Sequence, residues 1–414
     1  MLLVISNGHG EDLMAARLIK KIRELAPELP LVALPLVGEG EPVAQTGVPI
    51  LYAGKAFPSG GFIRSGLKYL IADLRAGYWR HWRGQIHALR RIAPEVTLIL
   101  AVGDSLLLYL VKRHLGKPLI FVPTAKSEYI RGHLPFEVRW MRQLATVVFP
   151  RDSATADKLA GEGVPAEFVG NLMMDSIDLC GYSLGLTEYG AKAGRPPIIG
   201  ILPGSREEAY PNFNLLAQAA AEYTARYGPA AFPVALAGHL DEQRMADQLS
   251  QLGWRKDSAP LPEAVKAVFS RGEAKLLLCK GAFGDILDRS DLILGLAGTA
   301  NEQAAGLGKP VITFVGLGSQ FTRKFVAAQK RLLGEAVSVV WGADPDKPPT
   351  AAEVAAEIHR ILSDPEVQER MAVVGKERMG GPGGVTAVAE RTIELYRELS
   401  RSDKAASAAR IPSK

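Results

Sequence analysis

Residues 198–211, IIGILPGSREEAYP, set a short apolar run directly before Pro203-Gly204-Ser205-Arg206 and then a helix-forming stretch. At the carboxyl end of a parallel strand, such a turn offers free backbone N–H groups and the positive end of a helix dipole to an anion. Arg206 adds a permanently charged, bidentate clamp suited to phosphate. A second turn of the same kind lies in residues 291–310, DLILGLAGTANEQAAGLGKP, where Gly298 and Thr299 separate an apolar run from a helix. Small residues let a phosphate approach the backbone, and the Thr299 hydroxyl can donate to it. Two such turns on one sheet edge suit a diphosphate better than a single phosphate. The plainer alternative is a strand–helix turn with a surface arginine, and a helix capped by Thr299.

In the first half, Asn7-Gly8-His9-Gly10-Glu11-Asp12 follows an apolar run and opens a helical pattern. Gly8 permits a tight turn, and His9, Glu11 and Asp12 are candidates for acid–base work or substrate contacts. His9 as a simple helix cap is the competing reading. Asp104 follows Gly103 at the end of the run 96–102. A carboxylate there, amid apolar neighbours, is expected to have its pKa raised into the range of a general base, or else to cap the next helix. After the run 119–122, Lys126, Ser127 and Glu128 are placed to line the same edge.

Elements with two periodicities must hold these residues in place. Apolar runs at 2–6, 31–36, 96–102, 119–122 and 146–149 alternate with helical stretches at 12–25, 106–115 and 153–161. Alternation resumes from 198 and continues through 234–237, 275–278, 291–294, 311–314 and 337–340. This is the pattern of βαβ units in parallel sheets covered by helices, and the expected fold is α/β, with two doubly wound Rossmann-like domains facing a cleft. The reading divides the chain into a first domain at 1–180, a Gly- and Pro-rich linker at 181–197 and a second domain at 198–384 that carries both anion-binding turns. A helix at 385–399 then crosses back to the first domain, and a disordered tail occupies 400–414.

A length of 414 residues suits two domains, and 47% hydrophobic with 22% charged residues is ordinary globular composition. Cys180 and Cys279 match no metal spacing and are too few for a disulfide framework, which points to a reducing compartment and no structural metal. The start reads as a strand rather than a signal peptide, and the longest apolar stretch, 96–111, is broken by Gly103-Asp104-Ser105. A cytoplasmic protein without a membrane-spanning helix is expected. Net charge is +5 and the sequence pI about 9.0. The charge concentrates in residues 62–91, where seven Lys and Arg stand against the single acid Asp73, among Tyr69, Tyr78, Trp79 and Trp82. That mixture suggests peripheral contact with an anionic membrane surface on the inner face, and no nucleic-acid motif accompanies it. Self-association stays open.

Three strings carry a resemblance: LPGSREE at 202–208, VGNLMMDSI at 169–177 and GTANEQAAGLGKP at 298–310. Together and in order they resemble the bacterial lipid A disaccharide synthases, glycosyltransferases of GT-B architecture. The resemblance implies inverting, metal-independent transfer of a sugar from a nucleotide-diphosphate sugar to a lipid-linked or glycan acceptor, with the nucleotide sugar as co-substrate and no further cofactor. It implies that Gly204, Ser205 and Arg206 with Gly298 and Thr299 contact the diphosphate. Phe283, in the stretch 280–285, lies near the base, and Asp104 deprotonates the acceptor. The resemblance assigns the acceptor to the first domain, with Gly8, Asp12 and Lys126 on the acceptor side, and the nucleotide sugar to the second. The family's ribose-gripping glutamate falls on Gln303, with Glu302 one position earlier; Gln can bond a diol but is uncharged. The family's tryptophan segment is replaced by residues 121–129, FVPTAKSEY, which includes Lys126. Two rivals remain: a nucleotide-sugar 2-epimerase of the same fold, and a binding protein that has lost catalysis.

Overall fold

The structure, a computed structural model, describes residues 1–57, 67–190 and 194–408. The chain divides into two compact units, Met1–Ser176 with the segment from Pro382 onward, and Ile177–Gly381.

In the first unit, β1 (Leu2–Ser6), β2 (Leu31–Pro35), β3 (Leu98–Gly103), β4 (Leu119–Pro123) and β5 (Ala145–Val148) form one parallel sheet in the order β2-β1-β3-β4-β5. The first four strands are buried on both faces, as an apolar run without alternation requires. The helices are α1 (His9–Leu25), α2 (Glu41–Ala44), α3 (Leu67–Arg75), α4 (Tyr78–Ile92), α5 (Ser105–Leu110), α6 (Pro135–Leu144) and α7 (Ser153–Gly161). On one face of the sheet α1 packs through Ala15, Leu18, Ile19 and Ile22, a stripe at helical spacing. The last helix of the chain joins the same core through Val385, Val388, Ala389 and Ile393. Leu89, Leu107, Leu108, Leu110 and Met141, from α4, α5 and α6, cover the other face.

In the second unit, β6 (Ile199–Leu202), β7 (Ala230–Leu236), β8 (Arg255–Lys256), β9 (Val265–Arg271), β10 (Ala274–Lys280), β11 (Leu292–Gly295), β12 (Val311–Phe314) and β13 (Val337–Val340) make a sheet in the order β13-β12-β11-β6-β7-β10-β9-β8. The helices α8 (Ala209–Tyr227), α9 (Glu242–Gln251), α10 (Phe283–Arg289), α11 (Thr299–Gly306), α12 (Arg323–Leu333), α13 (Ala351–Leu362) and α14 (Pro365–Met379) complete it, and α15 (Gly384–Ala408) returns to the first unit.

Three features differ from the sequence reading. The second sheet is not wholly parallel: β9 pairs antiparallel with β10 and with β8, a hairpin turned at Gly272. The segment expected as a linker contributes Leu184 and Leu186 to a cluster with Ile198 and Ile286, so it belongs to the second unit's packing. The tail expected to be disordered from 400 onward continues as helix to Ala408, since Ser400–Ala408 holds neither Gly nor Pro to stop it. Residues 62–66 of the basic aromatic segment lie outside the described residues. Among the described residues no helix is long and apolar enough to cross a membrane.

In each sheet the chain leaves its first strand, builds one side and then crosses to the other. The switch points lie between β1 and β3 and between β6 and β11. In open α/β sheets ligands bind outside the carboxyl ends of strands at such points.

Candidate functional site

In the second unit both predicted turns stand at the switch point, because β6 and β11 are paired neighbours with Leu202 opposite Gly295. The Leu296 amide donates to Leu202 O at 2.8 Å. Gly204 has φ +97, and a Cβ on it would stand 2.9 Å from Leu296 O, so the two turns meet where only glycine fits. Ser205 and Arg206 are exposed, and among the described residues the Arg206 side chain makes no hydrogen bond or ion pair, while its carbonyl accepts from Ala209 N at 2.9 Å. Its neighbours are already committed. Glu207 pairs with Arg244 at 2.6 Å. Glu208 accepts from Ser319 N and Oγ. Its own backbone amide, then Ser319, and less strongly Arg206, hold its carboxyl below the usual range.

On the β11 side, Gly298 is the residue that caps α11, with no side-chain cap, and Thr299 is the first helical residue with its side chain exposed. The alternative of a Thr299 cap is therefore not what forms. The first amides of a helix have no intrahelical acceptor, so this end presents free N–H groups. Glu302, one turn after Thr299, is partly exposed, whereas Gln303 is only 6% exposed. The ribose position inferred by resemblance for Gln303 is thus turned into the unit, and Glu302 shares the open face with Thr299.

The stretch 280–285 follows β10. Phe283 opens α10 and is half-buried. Asp285 is buried and accepts from Gly181 N at 2.8 Å, Tyr182 N at 3.1 Å and Cys180 N at 3.3 Å. Its carboxylate anchors the start of this unit and is not free for a ligand.

In the first unit, Asn7 and Gly8 at the end of β1 face Gly103 and Asp104 at the end of β3. Asn7 Nδ2 donates to Asp104 Oδ1 at 2.6 Å, and the Asp104 amide donates to Asn7 Oδ1 at 3.1 Å. Gly103 admits Asn7, since a Cβ there would overlap Asn7 Oδ1. Asp104 caps α5 through Leu106 N at 2.9 Å, as the plainer reading expected. Both bonds use Oδ1; Oδ2 has no partner among the described residues. Asp104 is exposed, at a small recess that Leu108, Phe121, Pro123 and Ala125 also line.

Gly8 caps α1, and His9 follows as an exposed first residue with its ring against Gly38. Glu11 is half-buried and accepts from Thr124 Oγ1 at 2.7 Å, tying α1 to the end of β4. Asp12 must be corrected: it is 1% exposed, lies on the buried face of α1 and accepts from Ser6 Oγ at 2.5 Å. Burial, opposed by the Ser6 bond, pushes its carboxyl up to about 6. It cannot touch an acceptor. Lys126 is bound to the buried Glu137, which also accepts from Leu134 N at 2.7 Å. Burial would raise Glu137, but bonds from Lys126, Leu134 and Ser105 outweigh it and hold the carboxyl below its ordinary range.

The sequence reading missed His239, whose Nε2 lies 2.5 Å from Ser205 O, and Gln329, which is 3% exposed and bonds the carbonyls of Ala297 and Gly298. Each had a signal. His239 follows an apolar run as the turn residues do, and Gln329 is a polar residue on the apolar stripe of α12 with Val326, Leu332 and Leu333.

No protein-family model and no curated protein matches the sequence. Among solved structures, the chain is similar to CalG4, the calicheamicin glycosyltransferase, with a TM-score of 0.58 and 14% identity over 95% of this chain and 98% of that one. It is similar to MurG of Acinetobacter baumannii, TM-score 0.58, 15% identity, over 95% and 99% of the two chains. It is also similar to the UDP-GlcNAc 2-epimerase of Neisseria meningitidis bound to UDP-GlcNAc, TM-score 0.54, 14% identity, over 95% and 99%. At these identities the likeness establishes the fold, which is the two-domain α/β architecture of the GT-B class. The narrower likeness to lipid A disaccharide synthases rests on the sequence strings alone.

Proposed function

We propose that this protein is a glycosyltransferase that takes a nucleotide-diphosphate sugar, UDP-linked, and moves the sugar with inversion to a hydroxyl of a lipid-linked or glycan acceptor. One observation carries the reading: at the β6/β11 switch point the exposed, uncommitted Arg206 stands with the free amides of two turns that touch through Gly204 and Leu296. A diphosphate is the ligand whose charge and oxygen spacing such a double turn matches. Glu302 would take the ribose diol and Phe283 would lie beside the base. The epimerase neighbour bound to UDP-GlcNAc supports the choice of uridine.

In the first unit, Asp104 Oδ2 would take the acceptor's hydroxyl proton. The freed oxygen then bonds the anomeric carbon while the bond to the diphosphate breaks and its electron pair leaves with the phosphate. Arg206 and the turn amides stabilise that leaving charge. His9, Glu11 and Lys126 are the remaining acceptor-side groups, with Lys126 keeping donors beyond its bond to Glu137. Contact with an anionic membrane surface is supported by exposed Ile71, Leu74 and Trp79 beside Arg75, Arg80 and Arg83, a pairing suited to a lipid-linked acceptor.

A second reading, 2-epimerisation of the sugar nucleotide, is favoured by the Neisseria neighbour at the level of fold. Mass spectrometry of products from UDP-sugars, with and without membrane lipids as acceptors, separates the two. Acceptor-dependent release of UDP supports transfer. An altered sugar nucleotide formed without any acceptor means epimerisation, and tight UDP binding with no product means a protein that has lost catalysis.

A further inference from the structure

The amides that would meet a diphosphate belong to peptides whose carbonyls are held from behind. His239 Nε2 lies 2.5 Å from Ser205 O. A carbonyl only accepts, so that nitrogen carries the proton. Gln329 Nε2 donates to Ala297 O at 3.1 Å and to Gly298 O at 3.3 Å. The described peptides are all trans, so the C=O and N–H of each point in opposite directions. Drawing Ser205 O toward His239 turns the Arg206 N–H away from it. Drawing the carbonyls of Ala297 and Gly298 toward Gln329 turns the amides of Gly298 and Thr299 away in the same manner. None of these three amides has an acceptor among the described residues.

Gln329 is buried on the apolar face of α12, where an amide left without hydrogen-bond partners is destabilising. Its Oε1 accepts from Asn301 Nδ2 at 3.1 Å, and the same Nδ2 donates to Gly295 O at 3.0 Å. The carbonyls of residues 295 and 297 are thus turned inward by buried side chains, and that of Gly298, which also accepts from the amides of Asn301 and Glu302 in the first turn of α11, is held by Gln329 as well. An ordinary helix start needs no such grip, whereas a concavity of outward amides built for an anion does.

We infer that Gln329 and His239 are positioning residues that aim the N–H groups of Gly298, Thr299 and Arg206 at the two phosphates, an inference that rests on the nucleotide-diphosphate reading above. Neither residue need touch the ligand. Their effect is therefore confined to ligands that carry phosphate, and at position 239 it depends only on a donor where Nε2 stands. The side-chain nitrogen of Gln reaches that position, and that of Ala does not exist.

The test is titration of UDP and of uridine, by calorimetry and NMR, into wild type, His239→Ala, His239→Gln, Gln329→Leu and Gln329→Glu. Gln329→Glu keeps the shape and the acceptor for Asn301 but cannot donate. UDP affinity should fall about tenfold in His239→Ala and in both Gln329 variants, the worth of a hydrogen bond to a charged group, and return to within about threefold of wild type in His239→Gln. Uridine affinity should not change. Equal losses for UDP and uridine, or no rescue by Gln, would overturn the inference and leave a purely structural role. If the Gln329 variants do not fold, the His239 series decides alone. Wild type that fails to bind UDP overturns the nucleotide reading along with this one, whereas wild-type binding with unchanged variants removes only the positioning role.

Discussion

Asn7 and Asp104 bind each other twice across the first sheet's switch point, side chain to side chain at 2.6 Å and amide to side chain at 3.1 Å. The pair leaves Oδ2 of Asp104 without a partner among the described residues. Replacing Asp104 by Asn keeps an acceptor for Leu106 N and for Asn7, so the cap and the melting temperature should be nearly unchanged. A general base contributes ~10²–10⁴-fold, and turnover should fall by that much with UDP affinity intact. Near wild-type turnover would return Asp104 to a helix cap and move attention to His9 and Glu11.

Asp12 gives a pH dependence with a definite sign. Its folded-state carboxyl titrates near 6 against an ordinary 3.8. Below about pH 4 both states are protonated and the group contributes nothing. Between the two values the folded state binds the proton and the unfolded state does not, so stability falls as pH rises, and above 6 the cost is complete. A shift of about two units corresponds to roughly 3 kcal/mol. Asp12→Asn keeps an acceptor for Ser6 and should gain about 1–3 kcal/mol at pH 7.5 and almost nothing at pH 4, by urea unfolding. An equal difference at both pH values would contradict the buried, unpaired carboxylate.

Gly204 has no room for a side chain, since its Cβ would press on the Leu296 carbonyl and its φ is +97. Gly204→Ala should cost about 1–3 kcal/mol of stability and weaken UDP binding, because separating the turns moves their amides apart. Gly161→Ala, with open space around it on α7, serves as the control and should lose neither. Unaltered stability and affinity in Gly204→Ala would show that the two turns tolerate separation.

The exposed group Ile71, Leu74 and Trp79 with its neighbouring arginines predicts binding to vesicles that contain anionic lipid, reversed by salt because surface attraction is screened within about 10 Å at 0.1 M. Sedimentation should show this in wild type and a loss in Trp79→Ala. Trp82, on the same helix, packs into the sheet core and is not part of that surface. Equal binding to neutral vesicles would sink the electrostatic part.

Much of the framework was legible in the sequence because buried parallel strands read as unbroken apolar runs. β1, β3, β4, β6 and β11 lie within a residue or two of their expected places, and the Gly204 and Gly298 turns fall at their ends. The burial of Asp12 was legible as well: it extends the stripe Ala15, Ile19 and Ile22 one turn backward, which a strand-end motif made easy to overlook. The hairpin of β9 and β10 was readable only in part, since β9 alternates and β10 does not. Choosing between Glu302 and Gln303 needed the way α11 is rotated against its sheet, which periodicity over eight residues does not settle. The grip of Gln329 on residues 297 and 298 joins segments about thirty positions apart, and no local pattern records it.

The central claim is that the second unit holds a nucleotide diphosphate at the β6/β11 switch point, and calorimetric titration of UDP into wild type and Arg206→Ala tests it most directly. Wild type should bind UDP at one site per chain. Arg206→Ala should keep the wild-type circular dichroism and melting temperature but lose about 1.5–3 kcal/mol of UDP binding, an affinity drop of at least tenfold. Absence of UDP binding by wild type, or the same affinity in both proteins, would contradict the claim.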